Sequence, residues 1–265
     1  MQLALEQTFP LGRFHATPWK VFPYDDPHGE WPPSPWRLVR AVLARSFQLD
    51  REISESADNH TFLREALVRA FATSETSWRL PASAWRGPGL RQYHPAEFKR
   101  VPASAKERGM MAYNTTKVLD NFWITSSDAE PIVWLFDGQD WTPPLLAHLD
   151  ACLARMTYFG RAESITEIRR LPEVRIDAAS LIPLQPRRSG NAVPVLALKP
   201  NATLSQLEAT TDTPNVAVTD IPPGSRWMFA ERPQRPRIRP VSRPKPALPL
   251  RSEERRVGKE CRIGC

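Results

Sequence analysis

PIVWLFDGQDWTPPLLAHLDACLARMTYFG, residues 131–160, reads as a strand, a turn and a helix in succession. The run from Ile132 to Phe136 is apolar without alternation, which is the pattern of a strand buried on both faces. DGQDW then makes a turn, and Thr142 followed by Pro143 supplies an N-cap and a first helical residue that needs no N–H partner. Leu145, Leu149, Cys152, Leu153 and Met156 repeat at three and four residues, the stripe of a helix that Gly160 is expected to end in a left-handed cap. GRAESITEIRRL leads out of that helix as a further strand.

Working outward, residues 2–9 alternate Leu3, Leu5, Gln7 and Phe9 against Ala4, Glu6 and Thr8, which suits an opening strand. Ser34 and Pro35 repeat the cap logic and start a helix over 35–49, with Val39, Val42, Leu43 and Phe47 on one face and Arg37, Arg40 and Arg45 around it. A second helix is expected over 61–72, and extended segments at 77–81 and 117–125. Strand, helix, paired strands, helix, strand is the order of a ferredoxin-like (RRM-like, βαββαβ) α+β sheet with helices on one face. The expected organisation is such a domain over 1–172 with an insertion around 50–116, a short-strand and loop extension over 173–225, and a basic proline-rich linker over 226–250.

The chain has 265 residues, 41% hydrophobic and 25% charged, with a net charge of +7. That is ordinary globular composition and enough length for a core. No apolar run approaches the ~18 residues of a membrane span, and the first residues lack the basic flank and long apolar stretch of a leader, so a cytoplasmic location is expected. Proline is in excess, 28 residues, many of them after Leu171, so that part should be short strands and loops. Sequences of the form HExxH, paired CxxC, glycine-rich phosphate loop or GxSxG are missing, which argues against zinc proteases, cofactor enzymes and elbow hydrolases; no metal and no small-molecule cofactor is expected. Cys152 takes an apolar helix position and is read as packing.

Residues 251–265, RSEERRVGKECRIGC, break from everything before them. The first eleven match, in frame, the translation of a common sequencing-adapter oligonucleotide. The segment is therefore read as non-native, which takes Cys261 and Cys265 out of consideration and leaves a net charge of +5. On this reading Leu250 is the last encoded residue, and the natural chain is expected to continue past it.

GRFHATPW at 12–19, EWPPSPWRLVRAVLA at 30–44, RQYHP at 91–95, TKVLDNF at 116–122 and YFGRAESITE at 158–167 together resemble the fused "Cas five and six" subunit of type I-G (formerly I-U) CRISPR systems, in the RAMP superfamily. The blocks span the first two thirds of the chain. The resemblance implies a CRISPR RNA-binding subunit of an antiviral effector complex that grips the repeat-derived 5′ handle of the guide RNA. It also implies membership of a protein that processes precursor CRISPR RNA without metal, with CRISPR RNA and the other effector subunits as partners. Ile165 stands where the family often carries an aromatic residue, which removes one expected stacking ring.

A guide-RNA subunit must neutralise phosphates and stack unpaired bases, so arginines and aromatic rings should interleave. The candidate RNA-binding residues are Arg13, Trp19, Trp36, Arg37, Arg40, Arg91, Tyr93, Arg161 and Glu163. For any one of the tryptophans, packing against neighbouring prolines in the core is the favoured reading, so only some of them are expected to bind. Arg37 and Arg40 point away from the apolar helix face, either toward RNA or toward solvent. Arg161 and Glu163, two apart, are expected to share a face, either as a preorganised phosphate ligand or as a structural ion pair. If the fragment cleaves RNA, His15 and His94 are the candidates for the base, since their type titrates near neutrality. His28, His60 and His148 are read as loop or surface residues.

Overall fold

The computed structural model describes residues 2–19, 29–52, 57–82, 84–87, 89–100, 111–125, 131–138, 140–172, 180–210 and 221–231, and their side chains except at 51–52, 57–59, 90–100 and 111–120. Contacts divide the chain into Met1–Pro233 and Gln234–Cys265, the second of which lies outside the described residues. In chain order the elements are β1 (Gln2–Thr8), β2 (Arg13–Phe14), α1 (Pro35–Glu52), α2 (Ala57–Thr73), β3 (Glu75–Arg79), β4 (Trp85–Arg86), β5 (Leu90–Arg100) and β6 (Met111–Asp120), followed by β7 (Trp123–Ile124), β8 (Ile132–Asp137), α3 (Pro143–Leu153), β9 (Glu167–Arg170), β10 (Ile182–Pro183), β11 (Val193–Leu198), α4 (Leu204–Glu208) and β12 (Ser225–Ala230). The fold is α+β.

Five strands form one sheet in the order β10-β3-β8-β1-β9, every neighbour antiparallel. The period of two decides its faces. Leu3 stands opposite Phe136 and Leu5 opposite Trp134, and Trp78 of β3 also faces Trp134. These side chains share one buried core with Val39 and Val42 of α1, Leu67 of α2 and Leu149 of α3. Gln7 lies within that face without cost because Trp134 Nε1 donates to its side-chain oxygen at 2.9 Å and its amide donates to Thr166 Oγ1 at 3.1 Å.

The start of α1 follows from Ser34, whose Oγ accepts the Arg37 N–H at 3.3 Å while its carbonyl accepts that of Leu38 at 3.1 Å. Four turns of α1 then bury Leu38, Val39, Val42 and Leu43 against α2, α3 and β11. Thr142 and Pro143 open α3 as expected.

Three features differ from the sequence reading. Helix α3 ends at Leu153, with Ala154 right-handed, and not at Gly160. Met156 continues the apolar stripe only because the turn that leaves the helix is itself packed into the core, with Met156 N–H on the Leu153 carbonyl at 3.0 Å. The sheet neighbour of β8 is β3, within the stretch read as an insertion, whereas 111–120 pairs with 90–100 in a separate two-stranded ribbon. Pairing β3 there sets Trp78 beside Trp134, ring centroids 5.8 Å apart, so two fully buried tryptophans cover each other. Finally, residues 226–230, read as the start of a linker, belong to β12 and pair with β11.

A small sheet of β2, β7 and β4 holds Phe14 opposite Trp123. Trp31 stacks on Trp123 at 5.2 Å and 18°, and Phe14 lies 6.2 Å from Trp31. These rings anchor the segments on either side of residues 20–28, and those segments build the site described next.

Candidate functional site

A cleft of about 400 Å³ opens beside α1, lined by Trp19, Trp36, Arg37, Arg40, Ala41, Ala44, Arg45, Tyr158, Gly160 and Thr210. Residues 37, 40, 41, 44 and 45 recur at three and four, so they form one stripe of the helix. The two alanines keep the stripe low between the arginines. Three guanidinium groups line the cleft, and none of its lining residues is acidic.

The three arginines differ in what holds them. Arg37 donates to both carboxylate oxygens of Glu30, at 2.6 and 3.1 Å, and to the Thr17 carbonyl at 2.8 Å. Burial disfavours its charge, but Glu30 outweighs burial and pushes its pKa up. Its charge is therefore neutralised. Among the described residues Arg40 has no such partner: Nη1 donates to the Ala209 carbonyl at 3.0 Å and the guanidinium lies 4.9 Å over the Trp36 ring. Burial, and then the charge of Arg37, push its pKa down, the signature of a cation short of an anion. Arg45 donates to Gln48 at 2.9 Å and lies 5.3 Å over the ring of Tyr158, which is 41% exposed. Trp19 and Trp36 meet edge to face at 5.8 Å, and the indole N–H of each is buried without an acceptor among the described residues.

The loop that carries Tyr158 and Gly160 closes onto His15. Arg161 N–H donates to the His15 carbonyl at 2.8 Å, His15 N–H donates to Ser164 Oγ at 2.8 Å, and His15 Nδ1 meets Glu163 Oε1 at 2.7 Å. Gly160 is needed here: its φ is +91°, and a Cβ would stand 2.5 Å from the His15 carbonyl oxygen. Glu163 thus pairs with His15, not with Arg161 as read from the sequence. Burial raises the Glu163 pKa, but its own backbone N–H, the bond and charge of His15, and Arg161 bring it below the usual carboxylate value.

Of the residues singled out from sequence, Trp19, Trp36, Arg37 and Arg40 come together at the cleft. Arg161 and Glu163 flank it through the His15 loop. Arg13 lies on β2 with its guanidinium 4.4 Å over Phe122 and does not line the cleft. His15 is 1% exposed and closed in by that loop. Arg91, Tyr93 and His94 lie on β5, with side chains outside the described residues, as does His28. Arg45 and Tyr158 line the cleft without having been singled out; the alanines between arginines at helical spacing carry the signal for the first.

His60 and His148, read as loop or surface residues, belong instead to a polar cluster where α1, α2 and α3 meet. Asp50 accepts from His60 Nδ1 and from Arg64 Nη1, while His148 Nε2 lies 2.9 Å from Ser46 Oγ. Asp50 offsets the burial of the Arg64 guanidinium by pairing with it, and it also engages the His60 imidazole. Burial pushes the Cys152 thiol up to about 12. Among the described residues, no three His, Cys, Asp or Glu side chains gather as a metal site would require, and no helix is long and apolar enough to cross a membrane. No family model matches the chain, and no curated protein matches it.

Proposed function

We propose that the chain is the guide-RNA-gripping part of a type I-G CRISPR effector subunit, acting in the cytoplasm with CRISPR RNA and the other effector subunits as partners. The observation that carries this reading is the cleft beside α1, where Arg40 and Arg45 lie against aromatic rings and, among the described residues, no carboxylate lines the space they face. Guanidinium groups suit phosphate oxygens, and exposed rings suit unpaired bases. Most of the lining side chains come from three of the sequence blocks that carry the family resemblance, at 12–19, 30–44 and 158–167, while Arg45 and Thr210 lie outside them.

The reading of the sheet as a ferredoxin-like RAMP domain is supported by strand order. Counting β1, β3, β8 and β9 as first to fourth, the sheet runs fourth, first, third, second, antiparallel throughout, with α1 and α2 before the second strand and α3 before the fourth.

Binding is favoured over cleavage by this fragment, because His15 is sealed in the fold with Nδ1 engaged by Glu163. A general base must reach the hydroxyl that it deprotonates. The test is to incubate the protein with labelled CRISPR-repeat RNA in chelator. Retention without scission is expected, weakening with salt by a slope in log K of about −0.7 per phosphate neutralised. RNA binding indifferent to salt and to Arg40→Ala would overturn the reading; scission would favour the nuclease, and scission surviving both His15→Ala and His94→Ala would remove those bases.

A further inference from the structure

The cleft has two walls besides α1, and both lead back to one residue. The first is the segment from His15 to Trp19, fixed to α1 where Arg37 donates to the Thr17 carbonyl. The second is the turn that carries Tyr158 and Gly160. It is tied to itself by the bridge between Tyr158 and Ile165 and by Phe159 N–H on the Ser164 carbonyl at 3.0 Å. Among the described residues, the bonds that tie it to the first wall run through His15: its carbonyl accepts from the Arg161 N–H and from Ser164 Oγ, its amide donates to Ser164 Oγ, and its imidazole meets Glu163. The imidazole is 1% exposed, whereas the Glu163 side chain is 38% exposed, so the contact reaches from the core to the rim of the cleft.

We infer that His15 and Glu163 are positioning residues that set the spacing between these two walls, so that an unpaired nucleotide has its base on Tyr158 while its phosphate meets Arg40 and Arg45. This rests on the cleft being the RNA site. It separates the lining residues by role: Arg37 with Glu30, and His15 with Glu163, build the frame, while Arg40, Arg45 and Tyr158 touch the nucleotide. A side chain that donates where Nδ1 stands, and one that accepts where Glu163 Oε1 stands, suffice for the frame. His15→Asn and Glu163→Gln therefore keep it, and Glu163→Ala and His15→Leu open it.

The test uses the full chain and two readouts. The first is hydrogen exchange of the free protein, followed by mass spectrometry on peptides covering 158–166. Glu163→Ala is expected to speed exchange there about tenfold, with α3 and β9 unchanged and Glu163→Gln like the parent. Should His15→Leu fail to fold, Glu163→Ala carries the test, since it removes a partly exposed group. The second is affinity for a short, unstructured, fluorescein-labelled RNA. Loss of the Tyr158 stack is expected to weaken binding about tenfold. Glu163→Ala should cost a similar factor in the parent and less than about twofold in a Tyr158→Ala background, a non-additivity that general destabilisation would not produce. Rescue by His15→Asn relative to His15→Leu supports the same conclusion. Unchanged exchange in Glu163→Ala overturns the inference. So does additive loss with Tyr158→Ala, or undiminished RNA affinity in a protein whose 158–166 turn has loosened while Arg40→Ala still weakens binding. If neither Arg40→Ala nor Tyr158→Ala affects RNA affinity, the cleft reading itself fails and the inference goes with it.

Discussion

Helix α1 borders cations in two different surroundings. In its first three turns Arg40 and Arg45 face a cleft and rest on aromatic rings, with no carboxylate among the described lining residues. Near its other end Asp50 faces inward and takes both His60 and Arg64, the second of which is 6% exposed and lies 4.2 Å over the Phe47 ring. The enclosed Arg64 is given an acid, and so is Arg37 at the inner side of the cleft, through Glu30; for Arg40 and Arg45, among the described residues, no acid lines the cleft. The contrast separates charge that stabilises the fold from charge left for an external partner, because an enclosed cation without an anion is costly and a half-open one is only incompletely solvated.

The largest expected effect is on the enclosed side. Asp50→Ala leaves the buried Arg64 without its carboxylate and should cost about 3 kcal/mol in urea unfolding, while RNA affinity measured below the transition stays within about twofold. A milder loss than about 1 kcal/mol would break the comparison. On the cleft side, Arg40→Ala should do the reverse: RNA affinity falls about tenfold, in line with a charge-assisted bond of ~1.5 kcal/mol, with little change in melting temperature. Arg45→Ala sharpens the same point with a smaller loss, since its hydrogen bond to Gln48 is exposed whereas that of Arg40 to the Ala209 carbonyl is partly buried.

Acidification probes the enclosed cluster by sign. Burial raises the Asp50 pKa, but the bonds and charges of Arg64 and His60 outweigh it and hold the carboxyl below its ordinary value. Its contribution is present above the unfolded carboxylate value and is lost as pH falls through the folded one. His148 is pushed down by burial and by the charges of His60 and Arg64, against Asp50. Its contribution is full above the ordinary histidine value near 6.5 and is lost as pH falls through its lowered folded value. Melting temperature should therefore fall in two stages on the acid side, the upper one abolished by His148→Gln and the lower one reduced by Asp50→Asn. The smallest effect is chemical: with its thiol pushed up to about 12, Cys152 should resist iodoacetamide at neutral pH. Mass-spectrometric localisation of the label to Cys152 before unfolding would show that the cluster opens in the native state.

Local chemistry made part of this legible beforehand. Ser34 with Pro35 marked the start of α1, and the unbroken run through Val133 and Leu135 marked β8, because caps and burial leave their trace within a few residues. Strand β3 was harder to place: Glu75–Arg79 is short, and only the distant Trp134 makes its register profitable. The end of α3 was misplaced because an apolar position at Met156 and a glycine at 160 fit a longer helix equally well until the turn's own packing is known. For the site, Trp19, Trp36, Arg37 and Arg40 were visible as a mixture of ring and charge. What was not visible is that Arg37 is already neutralised by Glu30 and that Glu163 belongs to His15, a pair 148 positions apart. A pattern search reads spacing along one element and has no view of partners that tertiary structure alone brings together.

The interior place of β1, paired on both edges, bears on how the molecule is made. Its two neighbours in the sheet, β8 and β9, leave the ribosome on the order of 125 residues or more after it, which at ~5–20 residues per second amounts to several seconds or longer. For that interval the Leu3–Leu5 stretch has apolar side chains and two unsatisfied backbone edges. The nascent strand is thus a natural client for holdase chaperones, and the yield of folded protein should depend on their supply more than its final stability would suggest.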